Sequence, residues 1–479
     1  MNRLIWFRND LRLIDNPALH HCLDDKTTGT DDAPVSALFI LCQEYIDTHP
    51  IGAKRLRFMQ EALLNLAQGL AKQGIELRTE YVEKKADIAQ RVVDVCSHVG
   101  ARVVFCNREY PLDERRRDQD CKALCEEQGI TFNAYHDRCL IPPGALKTQA
   151  GDHYKVFTPF ARAWRKLADA SQFQIYSAPK SKIQAVAAPS DTINRLFSRA
   201  GADCQPVLWQ ADEHSALDAL QDFIEQHLAD YDEERDYPAL QATSKLSPYL
   251  SVGLLSPKQC YIACRHAVGV SENVGAHTWI NELIWREFYM HIAAIYPKVS
   301  MHRPLQAYTE CIPWRQNETD FQRWCQGETG IPIIDAAMRQ LNQTGWMHNR
   351  LRMIVAMFLS KNLLIDWRKG EAYFMSQLID GDFSANNGGW QWSASTGTDA
   401  APYFRIMNPL TQSERYDPQG HFIRQWLPEL AAVKGKNIHN PGPINGYPAP
   451  MVDVKATRKE AIAVFKACKE QYAKESHEH

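Results

Sequence analysis

Apolar positions in the first 135 residues cluster into short runs set between longer amphipathic stretches. Arg3–Phe7, Val35–Leu41, Ile75–Thr79, Arg102–Cys106 and Ile130–Tyr135 are such runs. Near-continuous apolar character over so few residues predicts strands covered on both faces. Between them, Ala53–Gln73 carries apolar residues at Leu56, Met59, Leu63, Leu66 and Leu70. That spacing predicts a helix with one buried face. Ala86–Val99 and Asp113–Gln128 read the same way. Strand and helix in alternation predict an α/β domain over residues 1–135, built on a doubly wound parallel five-stranded sheet. No GxGxxG opens its first helix, so the dinucleotide fingerprint is missing there.

The alternation stops at residue 136. Residues 136–205 predict an interdomain connector, with Ile-Pro-Pro-Gly at 141–144, a Ser/Pro/Ala-rich stretch near 177–190 and one helix around 158–169. From 206 to 479 strand patterns vanish and an all-α domain is expected. Its helices read as Ala211–Leu228, Pro257–Ala267, Ala276–Ile295, Ile333–Thr344, Met347–Leu364 and Glu371–Ile379, with a short helix near the end.

Composition narrows the class. Net charge is −3, so the chain is no polycation, and a nucleic-acid partner would need a local basic patch. Such a bias exists between Asp335 and Gly370. Arg339, Arg350, Arg352, Lys361, Arg368 and Lys369 there face only Asp335 and Asp366. The alternative reading of that bias is a solvated helix face. Charge interrupts the N-terminal apolar run after Phe7, and the longest apolar run, Met353–Leu359, is far below the ~20 residues that cross a bilayer. A cytoplasmic protein without membrane contact is expected, with no sign of oligomerisation, hence a monomer. The 13 cysteines then read as reduced thiols, including the i,i+4 pairs Cys121/Cys125 and Cys260/Cys264. No metal site is expected. The 12 tryptophans are many, and large rings in that number need packing or chemistry to explain them.

Three segments hold residue types suited to chemistry. Thr243-Ser244-Lys245-Leu246-Ser247-Pro248 reads as a helix start, Ser247 as cap and Pro248 at the first helical position. It is either a plain capped helix or a phosphate cradle. Trp279, Glu282, Trp285 and Arg286 share one face of the Ala276–Ile295 helix. A carboxylate between two indoles is not normal core, and it suits a flat ligand with a polar edge. Asp380 to Trp392 packs two carboxylates, three amides, three glycines and two tryptophans into 13 positions, which argues against a helix or strand interior. Polar groups there could line a pocket for a heteroaromatic ligand, the glycines allowing close approach. His348 reads as a hydrogen-bonded structural histidine.

Long blocks of the chain resemble the photolyase/cryptochrome family, and within it the class I cyclobutane pyrimidine dimer DNA photolyases. They are WFRNDLR (6–12), YKVFTPF (154–160), RDYPAL (235–240), TSKLSPYLSVG (243–253), NELIWREFY (281–289), GWMHNRLRM (345–353), LIDGDFSANNGGWQWSASTGTDAAPYFRI (378–406) and FIRQWLPEL (422–430). The resemblance implies a folded-over FAD in the helical domain. Tyr231 and Thr243, Ser244, Lys245, Leu246 and Ser247 would hold its phosphates, and Trp279 would lie beside it. Arg352 and Asp380 would pair near the isoalloxazine, Asp382 would hydrogen-bond nearby, and Asn386 would face flavin N5. The implied substrate is a cyclobutane pyrimidine dimer flipped out of DNA. Trp285 and Trp392 would stack on it, Glu282 would bond its polar edge, and Asn349 and Met353 would face it. Arg235, Arg350, Arg286 and Gln412 would hold the DNA. Implied too is the mechanism: reduced anionic FAD, excited by blue or near-UV light, lends the dimer one electron, the cyclobutane bonds break, and the electron returns. Trp390, Trp367 and Trp314 match a chain that reduces oxidised flavin from the surface.

Two departures concern the light-harvesting antenna. Folate-binding members use an Asn-Glu pair, which here reads Asp113-Glu114, and a Cys-Lys pair reads Ser300-Met301. Methenyltetrahydrofolate, contacted by Glu114, is the expected antenna, with a deazaflavin or no antenna as the alternatives. Rival functions are a cryptochrome photoreceptor and a (6-4) photolyase. Asn349 and Met353, where (6-4) enzymes carry histidines, favour the cyclobutane lesion. From residue chemistry alone, a generic flavin- or nucleotide-binding module is the third reading.

Overall fold

The computed structural model describes residues 2–24, 34–179, 185–202, 207–268 and 273–477. Five strands form the expected parallel sheet: β1 (Asn2–Phe7), β2 (Val35–Cys42), β3 (Glu76–Val82), β4 (Ala101–Asn107) and β5 (Thr131–Tyr135). Their order is β3-β2-β1-β4-β5. Central β1 pairs Ile5 with Ala37 on one side and with Phe105 on the other. Helices cover both faces, which is why each strand reads as continuously apolar. Trp6, Leu38, Val104 and Cys106 pack under Ile88–Val99 and Leu112–Glu127. Ile5, Phe7, Phe39 and Phe105 pack under Pro17–Asp24 and Ala53–Lys72.

That second core does not end at the sheet. It runs on through Leu246, Tyr249, Trp279 and Ile284 of the helical region. The change from α/β to all-α is therefore a change along the chain, while the buried interior is shared. The connector is fastened across it. Glu287, fully buried, accepts hydrogen bonds from Leu140 N (2.6 Å), Ile141 N (3.3 Å) and Trp164 Nε1 (2.6 Å). Burial still pushes its carboxyl up to about 7. Gly253 explains a second close seam. Its φ is +77°, and a Cβ there would stand 2.2 Å from Asn9 O, so only glycine fits.

The connector holds the expected helix (Phe157–Ala170) and a further one, Ser190–Arg199. Ile193, Leu196 and Phe197 bury that second helix against Ala53–Lys72. Its ten residues give too few apolar repeats to read from sequence. Residues 180–184 of the Ser/Pro/Ala-rich stretch lie outside the described residues. The expected Met347–Leu364 helix is interrupted. An α-helix over Asn349–Met357 passes into a π turn over Phe358–Asn362, and Leu364 then takes a φ of +51°. The π turn brings the Lys361 amine to Ser395 Oγ (2.7 Å), completely out of solvent. The terminal helix, expected to be short, spans Val454–His477. Phe383–Ala394 is also helical, against expectation. No described helix is long and apolar enough to cross a membrane.

Candidate active site

The Phe383–Ala394 helix is the centre of the site, packed between Val274–Ile295 and Asn349–Met357, with Trp367–Gln377 alongside. Its glycines and amides are poor helix formers, and tertiary packing overrides them. Asp382 caps its start, Oδ1 accepting from Ala385 N (3.0 Å). The glycines do a different job from the one expected. A Cβ on Gly388 would meet the Tyr289 ring at 2.1 Å, so Gly388 lets two helices close on each other, and Gly389 faces open space.

Arg352 and Asp380 pair as expected. Arg352 Nη2 donates to Asp380 Oδ2 (2.8 Å), and its Nε holds Met347 O (2.8 Å). The Asp380 side chain is 2% exposed, and its Oδ1 is buried with no partner among the described residues. An orphaned buried oxygen calls for a donor from outside the chain. Asp382 is placed differently from expectation, with both oxygens engaged by protein. Oδ2 accepts from Arg138 Nη2 (2.9 Å), which joins the connector to the site. Burial alone would raise its carboxyl, but Arg138, Arg286 and the cap hold it below the usual range. Asn386 Nδ2 donates to Glu371 O (3.0 Å). This bond fixes which way the amide points and leaves its carbonyl oxygen as the free end.

The expected phosphate segment is not a capped helix start. Leu246 occupies the cap position without a side-chain bond, Ser247 and Pro248 are already helical, and the helix ends at Val252. The Ser247 hydroxyl instead accepts from Trp346 Nε1 (3.3 Å), while Trp209 Nε1 holds Lys245 O (3.1 Å). Lys245 takes a φ of +50°, so the loop turns sharply with Thr243 and Ser244 half-buried beside it. Trp279 and Tyr231 are buried and share Phe223 as a neighbour, with ring centroids at 5.1 and 5.6 Å. Trp346, Trp209 and Arg138 had no sequence signal, because their partners lie far away in the chain.

The residues expected to face the lesion and DNA divide. Glu282 has the partner its setting required: Arg235 Nη1 donates to it at 2.6 Å. Arg350 pairs with Asp236 and lies over the Tyr416 ring at 4.6 Å, on the helix (Pro409–Tyr416) that carries half-buried Gln412. Asn349 is exposed and Met353 half-buried, one helical turn apart on the same face. Trp392 is half-buried. Trp285 has one face covered by Phe157, stacked at 3.6 Å and 4°. Arg286 departs from the group. Its Nη1 donates to Arg138 O (2.7 Å), so it braces the connector and does not reach towards DNA. The basic bias of 335–370 also dissolves. Arg339, Arg350, Arg352, Arg368 and Lys369 pair with Glu429, Asp236, Asp380, Asp366 and Glu318, and Lys361 is buried.

Trp390, Trp367 and Trp314 belong to one apolar cluster. Trp390 is 2% exposed, Trp367 1%, and Trp314 is partly exposed, so of the three only Trp314 reaches the surface. On the opposite side, between sheet and helices, lies a cavity of about 1120 Å³ counted to its open mouth. Trp6 Nε1, Arg8 Nε, Tyr45 Oη, Arg55 Nη1 and Glu114 Oε2 line it and are buried without partners among the described residues. Burial and the nearby Glu109 push the Glu114 carboxyl up. Asp113 is spoken for: His49 and Lys85 hold it well below the usual range. Ser300 Oγ accepts from Leu112 N (3.2 Å), and Met301 is exposed, so neither puts charge into the cavity.

Comparison with known proteins agrees with this arrangement. Residues 3–182 match the family model described as DNA photolyase, and residues 279–467 match the FAD binding domain of DNA photolyase. The chain is 43% identical to the deoxyribodipyrimidine photo-lyase of Vibrio cholerae, over 98% of this chain and 100% of that one. A bacterial class III photolyase from Agrobacterium tumefaciens superposes with a TM-score of 0.86 at 34% identity, covering 98% of each chain. A cryptochrome from Synechocystis does so with a TM-score of 0.84 at 30% identity, covering 97% of this chain and 99% of that one. The fold is thus shared by proteins named photolyase and cryptochrome, and fold alone does not separate them.

Proposed function

The chain belongs to the DNA photolyase family, and from that premise we propose that it is a deoxyribodipyrimidine photo-lyase, splitting cyclobutane pyrimidine dimers in DNA with light. The observation that carries the reading is the Arg352–Asp380 pair with buried Asp380 Oδ1 unsatisfied, beside the helices that present Asn386 and Glu282. These residues fit FAD: an acceptor awaits a donor edge, and Arg352 keeps the neighbouring charge balanced. When bound, the flavin supplies light-driven one-electron donation to the lesion and accepts the electron back. Everything else is positioning by the protein.

Asp380 and Arg352 hold the isoalloxazine edge, and Trp279 packs beside the cofactor. Asn386, aimed by Glu371 O, would offer its carbonyl oxygen to a flavin ring N–H and so would favour the reduced anionic form. Tyr231 and the 243–247 loop take the phosphate side. Glu282, set by Arg235, hydrogen-bonds the polar edge of the dimer and steadies the charge it gains. Trp392 and the free face of Trp285 stack on the bases, with Asn349 and Met353 completing the pocket. Arg235, Arg350 and Gln412 meet the DNA backbone, so affinity falls steeply with salt. Trp314, Trp367 and Trp390 would carry electrons inward to an oxidised flavin.

The interdomain cavity takes an antenna. Its unsatisfied donors on Arg55, Arg8 and Trp6 and the acceptor on Glu114 match a heteroaromatic ring with mixed polar edges. Methenyltetrahydrofolate meets that need, and a deazaflavin is the alternative. Every residue named comes from one chain, so a monomer suffices, cytoplasmic and on the nucleoid when a lesion is bound. The test is repair of a thymine-dimer oligonucleotide by the purified, chemically reduced protein with blue light on and off. Dimer loss only in the light is expected. No loss, with FAD bound and DNA binding intact, would favour a photoreceptor or another lesion.

A further inference from the structure

Cys311 and Cys468 stand 157 positions apart in sequence and meet at the outer end of the tryptophan series. Cys468 lies buried on the Val454–His477 helix, and Cys311 closes a 3-10 turn over Ala307–Cys311. Among the described cysteines Cys311 is the exposed one. Cys468 Sγ donates to Cys311 O at 3.4 Å, while Cys311 Sγ donates to Tyr308 O at 2.9 Å and lies 3.9 Å from Cys468 O. Each sulfur therefore lies beside the other residue's backbone carbonyl, which places the two thiols as neighbours that a bridge could join. Burial and the neighbouring Cys311 thiol push the Cys468 thiol up.

The same patch holds Trp314. Phe465, one turn before Cys468 on its helix, meets Trp314 edge-on at 6.2 Å. Trp314 packs on the small core of Ile312, Phe465 and Cys468. Cys468 is part of that core, and neither thiol lines the interdomain cavity.

We infer that Cys311 and Cys468 form a redox-active dithiol that returns electrons to Trp314 after light has oxidised it. The inference rests on reading Trp390, Trp367 and Trp314 as an electron path. Oxidised Trp314 takes one electron from the pair, and one thiol proton leaves to solvent at exposed Cys311. A second oxidation of Trp314 takes the second electron, the other S–H proton leaves, and the sulfurs close an S–S bond. Two thiols thus give two electrons and two protons. The electrons travel inward, and the oxidised flavin, as acceptor, takes up both with one proton. Reduction of the disulfide by a cellular dithiol resets the pair. An internal donor removes the need for a small-molecule reductant to find Trp314 before the charge recombines.

The test illuminates oxidised, FAD-loaded protein anaerobically without added donor. It follows the flavin spectrum and, by peptide mass, the link between 311 and 468. In a dark arm, oxidised glutathione replaces light. The expected result is a 311–468 disulfide in both arms, forming in the light in step with flavin reduction. Cys311→Ser should lose the link and donor-free reduction, and ferrocyanide, which leaves disulfides intact, should restore reduction. Flavin reduction without a light-driven link overturns the inference, as does donor-free reduction in Cys311→Ser at the wild-type extent. If wild type fails to reduce even with ferrocyanide, the tryptophan path is wrong. The dark link would then still report the thiol geometry.

Discussion

Gly370→Ala sets two effects of opposite sign against each other. Gly370 lies inside the Trp367–Gln377 helix, where alanine ordinarily stabilises by about 1 kcal/mol. Here its Cβ would stand 2.1 Å from Trp390 Cη2, 2.5 Å from Cζ3 and 2.7 Å from Leu359 Cδ2. Carbon atoms meet comfortably at roughly 3.5–4.0 Å, so the indole must retreat by about 1.5 Å or the helices must part. Neither is easy. Trp390 is 2% exposed and already edge-on to Phe374 at 5.0 Å and to Trp324 at 6.0 Å. Overpacking of this kind costs about 1–3 kcal/mol, and a rigid ring with buried neighbours belongs at the upper end. Net destabilisation of about 1–2 kcal/mol follows once the helix gain is subtracted. The assay is urea denaturation of wild type and variant at matched FAD concentration, comparing midpoints. Near-UV circular dichroism of the buried indoles and the rate of flavin photoreduction are measured alongside. Both should change, because Trp390 is displaced from its place in the series. A variant as stable as wild type, with indole signals and photoreduction intact, would refute the reasoning.

Three further outcomes are expected. Glu282→Ala lowers the yield of dimer splitting per absorbed photon more than it lowers DNA affinity, and unchanged yield with weaker binding would count against a role at the lesion. Trp314→Phe blocks photoreduction of oxidised flavin while protein reduced chemically beforehand still repairs; loss of both would make Trp314 structural. Lys361→Met stabilises the protein in a pH-dependent way. Burial holds the Lys361 amine at about 7, far below its usual 10.5. Between those values the unfolded chain carries a proton that the folded chain has shed, so stability rises with pH across the window. The penalty is complete below about pH 7, on the order of 4–5 kcal/mol, and gone above about pH 10.5. The gain in Lys361→Met, less about 1 kcal/mol for the lost bond to Ser395, should be large near pH 6 and small near pH 10. Equal gains at both pH values in urea melts would sink the argument.

Local order in this chain was legible wherever one residue's fate depends on near neighbours. The strands β1 to β5 and the helices between them were written in apolar spacing, since a strand buried on both faces must be apolar throughout. The Arg352–Asp380 pair came with the family blocks. By contrast, Asp380 to Trp392 looked unlike a helix, and from Phe383 on it is one because Val274–Ile295 and Asn349–Met357 enclose it and Gly388 admits Tyr289. Trp285 and Arg286 adjoin in sequence, yet one stacks on Phe157 and the other braces Arg138 O. The basic surplus around Arg350 vanished because Asp236, Asp380, Glu318 and Glu429 come to it from other elements. Cys311 and Cys468 carry no sequence signal of their meeting. The sequence by itself determined the periodic elements, the apolar faces and the family, because these follow from short-range sterics and from long matching blocks. Only the tertiary structure decided which charges are spent, which oxygens stay unsatisfied and which thiols touch. Those are properties of groups brought together from 28 to 157 residues apart, and burial fixes their energies.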